Sequence, residues 1–79
     1  MTRNILVTGA ASGIGAEICK KLANEETNFL VHTRSNKEGL DQIVRYIEGV
    51  GGRAHQKLSD LSIKGEGRQL IKEAVQHLR

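Results

Sequence analysis

The nine residues Val7-Thr8-Gly9-Ala10-Ala11-Ser12-Gly13-Ile14-Gly15 constrain this chain more than any others. A short apolar run, Ile5-Leu6-Val7, leads into three glycines spaced G-x-x-x-G-x-G, and a helix-prone segment from Ala16 to Ala23 follows without a break. A strand that ends in a glycine turn and opens into a helix gathers free backbone N–H groups and the positive helix end at one point. Such a point suits a phosphate or pyrophosphate. Gly9 permits the tight turn, Gly13 leaves the backbone open to a ligand, and Gly15 lets the helix pack closely on the strand. The competing reading is a glycine-rich loop without a ligand, and the strand–turn–helix context argues against it.

The rest of the chain continues the alternation. Ile5 to Thr8 read as a first strand, whose continuous apolar run suits a sheet covered on both faces. Gly13 to about Asn24 read as a helix with Ile14, Ile18, Cys19 and Leu22 on one stripe. After the polar turn Glu25-Glu26-Thr27-Asn28, Phe29-Leu30-Val31-His32-Thr33 form a second strand. Ser35 or Asn36 caps a second helix that carries Leu40, Ile43, Val44 and Ile47 on one side, with Tyr46 near its edge. Gly49 to Gly52 end it. Arg53 to Leu58 form a third strand, with Ala54 and Gln56 alternating with more polar neighbours; this assignment rests chiefly on its place in the pattern. A last helix covers about Gly67 to Leu78, with Leu70, Ile71, Ala74, Val75 and Leu78 on one face. This order predicts an α/β fold of right-handed βαβ units with a parallel sheet in the order 3-2-1.

Composition narrows the classes. Seventy-nine residues make one small domain. A hydrophobic fraction of 38% beside 27% charged residues fits a folded chain rather than a disordered one. With Phe29 and Tyr46 the only aromatics, the core must be aliphatic. No apolar run approaches the roughly 18–20 residues of a membrane span, and the N-terminus does not read as a signal peptide. Cys19 is the single cysteine, so no internal disulfide forms; a reducing, cytoplasmic setting is expected, with Cys19 as a small core residue. The net charge is +3, yet twelve Lys/Arg residues interleave with nine carboxylates and form no basic run. That describes a mildly basic solvated surface better than a nucleic-acid site.

The glycine turn has the form T-G-x-x-x-G-[IL]-G, and in this it resembles the short-chain dehydrogenase/reductase family. The resemblance implies the first half of a doubly wound, Rossmann-type three-layer sheet. It also implies that Gly9, Ser12, Gly13, Ile14 and Gly15 hold the pyrophosphate of a dinucleotide. In such folds an acidic residue about 20 positions past the turn binds the adenosine ribose and favours NAD. Here that place is Thr33, which has no carboxylate, and Arg34, Ser35 and Asn36 follow it. A guanidinium grips a phosphate with two hydrogen bonds and a hydroxyl adds another; the Arg34-Ser35 pair is similar to NADP-preferring members such as 3-oxoacyl-acyl-carrier-protein reductases, which implies a 2′-phosphate site there with Asn36 as a further candidate. NADP(H) is therefore the expected cofactor and NAD(H) the less favoured one. The resemblance places Asp60 against the adenine amino group and the backbone of Leu61 along the base; alternatively Asp60 or Ser62 simply caps the last helix.

The family's catalytic serine and Tyr-x-x-x-Lys pair have no counterpart here. Tyr46 is the only tyrosine, and position 50, where the lysine would fall, is Val50. His32, His55 and His77 lack metal-ligand spacing and read as structural or exposed. No catalytic residue and no metal ligand are assigned. Residues 1–79 are thus expected to be a partial dinucleotide-binding domain that lacks the catalytic half and is inactive alone. It would bind NADP(H) and either form a homo-oligomer or recruit a complementing C-terminal half, with no nucleic acid and no membrane as partner. The alternative is a dinucleotide-binding or sensing module that never had a catalytic half.

Overall fold

A computed structural model describes residues 2–78. Its elements run β1 (Arg3–Val7), α1 (Gly13–Leu22), β2 (Thr27–Thr33), α2 (Lys37–Gly49), β3 (Arg53–Leu58) and α3 (Glu66–His77). The three strands form one parallel sheet with β2 in the middle, in the predicted order. Ile5 pairs with Phe29 and Val7 with Val31 on one side of β2, while Phe29 pairs with Ala54 and Val31 with Gln56 on the other.

Alternation along β2 builds two unequal cores. Phe29 and Val31 join Val7, Ala10, Cys19, Leu40, Ile43 and Ile47 between the sheet and the helices α1 and α2. Leu30 faces the opposite way and meets Leu70 and Ala74 of α3, with Leu6 and Leu78 at the margin. Each fully buried aliphatic side chain stabilises the fold by about 1.5–3 kcal/mol, so most of the stability resides on the larger side.

Strand β2 is covered on both faces, and all seven of its residues are buried. The apolar run of β1 also meets cover on both faces, Ile5 against the larger core and Leu6 against the smaller, but both stay half-buried because among the described residues β1 pairs only with β2. Strand position in the sheet, which hydrophobicity does not encode, decides the burial. The alternation expected in β3 is met at Ala54, which is half-buried, but Gln56 is exposed and accepts a hydrogen bond from Lys37 Nζ at 3.1 Å.

The expected apolar stripe on α1 also needs correction. Cys19 is fully buried and Leu22 half-buried, but Ile14 is 81% exposed and Ile18 42%. Gly15 sets this rotation. A Cβ there would overlap the Gly9 carbonyl oxygen, so the bare side of Gly15 faces β1's turn and Cys19 and Leu22 follow it inward. On α3, Leu70 and Ala74 are buried as expected, whereas Ile71 and Val75 point away at 55% exposure each. Helix α2 follows the expectation: Leu40, Ile43 and Ile47 are buried, Val44 is half-buried and Tyr46 lies at the edge.

Local side chains make the turns. Between α1 and β2, Asn24 Oδ1 accepts from Glu26 N at 2.8 Å and the Thr27 hydroxyl donates to Asn24 O at 2.7 Å. This Asx turn reverses the chain without a glycine. Asn36 caps α2, its Oδ1 accepting from Gly39 N at 3.0 Å. The cap of α3 is Gly65, at φ 90°, and neither Asp60 nor Ser62 caps that helix.

Candidate functional site

All three sequence signals lie at the C-terminal ends of the strands. Past Val7 the chain turns through Gly9 at φ 63°, a left-handed conformation that side chains other than glycine adopt at a cost. Ala10 N then donates to His32 O at 2.8 Å, which fastens the turn to the end of β2. Ser12 begins α1 in extended conformation; its side chain makes no cap hydrogen bond, and no acidic residue occupies the first turn. The first N–H groups of the helix, from Gly13, Ile14 and Gly15, therefore stay unclaimed by any side chain.

A Cβ added at Gly9 or at Gly13 (φ 58°) would meet nothing within 4 Å. The backbone is bare on its outer side, and a side chain there would occupy the open space beside the turn. On the inner side a Cβ at Gly15 would lie 2.8 Å from the Gly9 carbonyl carbon. One glycine thus closes the helix onto the turn, and two keep the turn open. This geometry fits the pyrophosphate of a dinucleotide. Sequence reading did not single out Gly39, where a Cβ would fall 2.5 Å from Ala11 O, so the first turn of α2 lies against the glycine turn. A glycine inside an otherwise strong helical segment was the available signal.

At the end of β2, Thr33 is 7% exposed, and its carbonyl accepts from Ser59 N at 3.1 Å. Arg34 and Ser35 are exposed beyond it, and the side chain of Asn36 is engaged in the helix cap. The structure brings the second and third signals together: Arg34 Nη2 lies 3.3 Å from Asp60 Oδ2. Asp60 Oδ1 accepts from Ser62 Oγ at 2.6 Å and from Ser62 N at 2.9 Å. Those two Ser62 bonds hold the Asp60 carboxyl below the ordinary aspartate range; desolvation opposes them, and the Arg34 charge adds the smallest contribution. Leu61 is 40% exposed beside it. Lys37, also not singled out beforehand, reaches from α2 to Asp41 Oδ1 at 2.8 Å and to Gln56 on β3.

His32 binds the strand ends to one another. Its ring, 4% exposed, donates from Nε2 to Ser59 O at 2.9 Å, a structural role like the one expected of it. His55 and His77, far apart in sequence, stack with ring centroids 4.8 Å apart on the side away from the glycine turn. Among the described residues no group of three or more His, Cys, Asp or Glu is placed to hold a metal ion. No helix of the described residues is long and apolar enough to cross a membrane.

Comparison with known proteins bears on the whole arrangement. A family profile described as short chain dehydrogenase matches residues 3–79. An uncharacterized oxidoreductase of Methylorubrum extorquens is 41% identical over 71 residues, covering 90% of this chain and 29% of its own. A 3-oxoacyl-acyl-carrier-protein reductase of Staphylococcus aureus is 35% identical over 75 residues, covering 95% of this chain and 30% of its own. The crystal structure of acetoin dehydrogenase from Enterobacter cloacae superposes with a TM-score of 0.88 at 31% identity, over 99% of this chain and 31% of that one. The chain thus spans about three-tenths of the length of these relatives.

Proposed function

The chain belongs to the short-chain dehydrogenase family, whose members are oxidoreductases that use a nicotinamide cofactor, and from that membership we propose that these residues form the NADP(H) cradle of such an enzyme. The observation that carries the reading is the open glycine turn at the N-terminus of α1, followed at the end of β2 by Thr33 and Arg34 where a carboxylate would favour NAD. The N–H groups of Gly13, Ile14 and Gly15, with the Ser12 hydroxyl, bind the pyrophosphate. The positive end of α1 adds a favourable charge interaction. Arg34 and Ser35 bind the 2′-phosphate, Asn36 orders their loop through its cap, and Thr33 packs beneath them. Asp60 accepts from the adenine amino group, with Leu61 along the base. When bound, the cofactor supplies or accepts a hydride, the parent reaction being reduction of a carbonyl or oxidation of an alcohol.

These residues bind and orient; none of them is assigned to the chemical step. Tyr46 sits on α2 with its side chain at the helix edge, and Val50 follows where a lysine partner would be needed. The family resemblance also favours assembly with further chain, and a cytoplasmic setting agrees with the buried, unpaired Cys19. Calorimetric titration of NADPH and NADH against the wild type and Arg34→Ala tests the cofactor assignment. A charge-assisted contact contributes about 1.5–3 kcal/mol, so NADPH should bind roughly ten- to a hundredfold more tightly than NADH, and Arg34→Ala should erase the difference. Equal affinities in the wild type would remove the basis for NADP(H).

A further inference from the structure

The two residues assigned to opposite ends of the adenosine moiety contact each other. Asp60 has one carboxylate oxygen filled twice by Ser62, and the other faces the Arg34 guanidinium. The contact is an ion pair through Nη2, which sets the Asp60 charge beside the group assigned to grip the phosphate. A 2′-phosphate therefore meets a cation already neutralised by a carboxylate. The two anions repel one another across the shared guanidinium, so the phosphate is held most strongly when Arg34 is drawn away from Asp60. An adenosine with a free 2′-hydroxyl has no such demand and leaves the pair in place.

We propose that Asp60 sets the strength of the 2′-phosphate preference by competing for Arg34. This rests on the assignment of Arg34 to the 2′-phosphate. Asp60 then acts as a positioning residue: it parks the guanidinium at the site and restrains the discrimination that the same guanidinium supplies. The restraint is modest, because the Arg34 side chain is 76% exposed and solvent screens the pair. Exposed ion pairs couple weakly, so removing the carboxylate should raise the preference by about two- to fivefold.

The probes are adenosine 2′,5′-bisphosphate and adenosine 5′-monophosphate, which differ only in the 2′-phosphate. Their affinity ratio cancels any change in adenine binding. It is measured by calorimetry on the full chain as wild type, Asp60→Asn, Asp60→Glu, Arg34→Ala and the double variant, each checked by circular dichroism. Asp60→Asn keeps an acceptor for Ser62 and should raise the ratio two- to fivefold; should it not fold, Asp60→Ser offers a hydroxyl in the same turn. Asp60→Glu, which retains the charge, should stay nearer the wild type. In the Arg34→Ala background the Asp60→Asn change should leave the ratio where it is. A wild-type preference that Asp60→Asn leaves unaltered would overturn the competition while sparing the cofactor assignment. An equal rise without Arg34 would also overturn it, since bulk charge would then be the cause. A wild type with no preference for the bisphosphate would bring down the assignment of Arg34 and this inference together.

Discussion

Gly15→Ala puts the packing account under the most stress. The added methyl group would overlap the Gly9 carbonyl oxygen and sit 2.8 Å from the carbonyl carbon and 3.1 Å from Ala10 Cα. All three are backbone atoms of a turn that Ala10 N fastens to His32 O, so no flexible side chain can give way. Relief requires α1 to retreat from the turn by about 1 Å, which loosens Cys19 and Leu22 against the sheet. Overpacking of this kind costs about 1–3 kcal/mol. Alanine's better helix propensity returns at most about 1 kcal/mol. A domain this small commands only about 3–5 kcal/mol in all, so the loss is a large fraction of it. The control is Gly67→Ala on α3, where a Cβ meets nothing within 4 Å and φ is not positive. That change should stabilise by about 0.5–1 kcal/mol. Urea titrations followed by far-ultraviolet circular dichroism measure both. If Gly15→Ala were neutral or stabilising like Gly67→Ala, close approach of helix and turn would not be what Gly15 provides.

Two further outcomes are expected. Burial pushes the Cys19 thiol up to about 11, above its ordinary value, so below pH 9 it costs nothing; as pH rises from 9 to 11 the unfolded chain ionises first, and stability falls by about 2 kcal/mol. Unfolding titrations at pH 8 and pH 10.5 should show that slope in the wild type and a smaller one in Cys19→Ala, and equal slopes would remove Cys19 as the cause. Expressed alone, the 79-residue chain should self-associate, because β1 leaves an open edge among the described residues while Ile14, Ile18, Ile71 and Val75 are exposed. Sedimentation equilibrium that returned a single stable monomer at micromolar concentration would contradict this.

The alternation of strands and helices was readable because each element carries its own period, and the parallel order followed from the connections. What the pattern missed depends on contacts distant in sequence. The burial of Ile14 and Ile18 was misjudged because periodicity finds an apolar stripe but not which side a glycine has claimed. Strand β2 begins at Thr27, earlier than Phe29, since Thr27 and Asn28 are polar yet held by the Asn24 turn and, for Asn28 Nδ2, by His77 O at 3.2 Å. At the site, the glycine turn was legible from the glycine spacing together with the strand before it and the helix after it. The pairing of Arg34 with Asp60 was not, because 25 intervening residues and an entire helix separate two loops that the sheet brings side by side.

On the reading proposed above, the C-terminal ends of the three strands form one nucleotide cradle. Amide shift mapping by nitrogen-15 NMR, with NADPH added to the folded chain, tests it most directly. The largest changes are expected at Gly9 to Gly15, at Arg34 to Asn36 and at Asp60 and Leu61. Glu25, Gly51 and Arg53, at the other end of the sheet, should stay still. Shifts centred on that far end, or none at the glycine turn at saturating NADPH, would rule out a cradle at these strand ends.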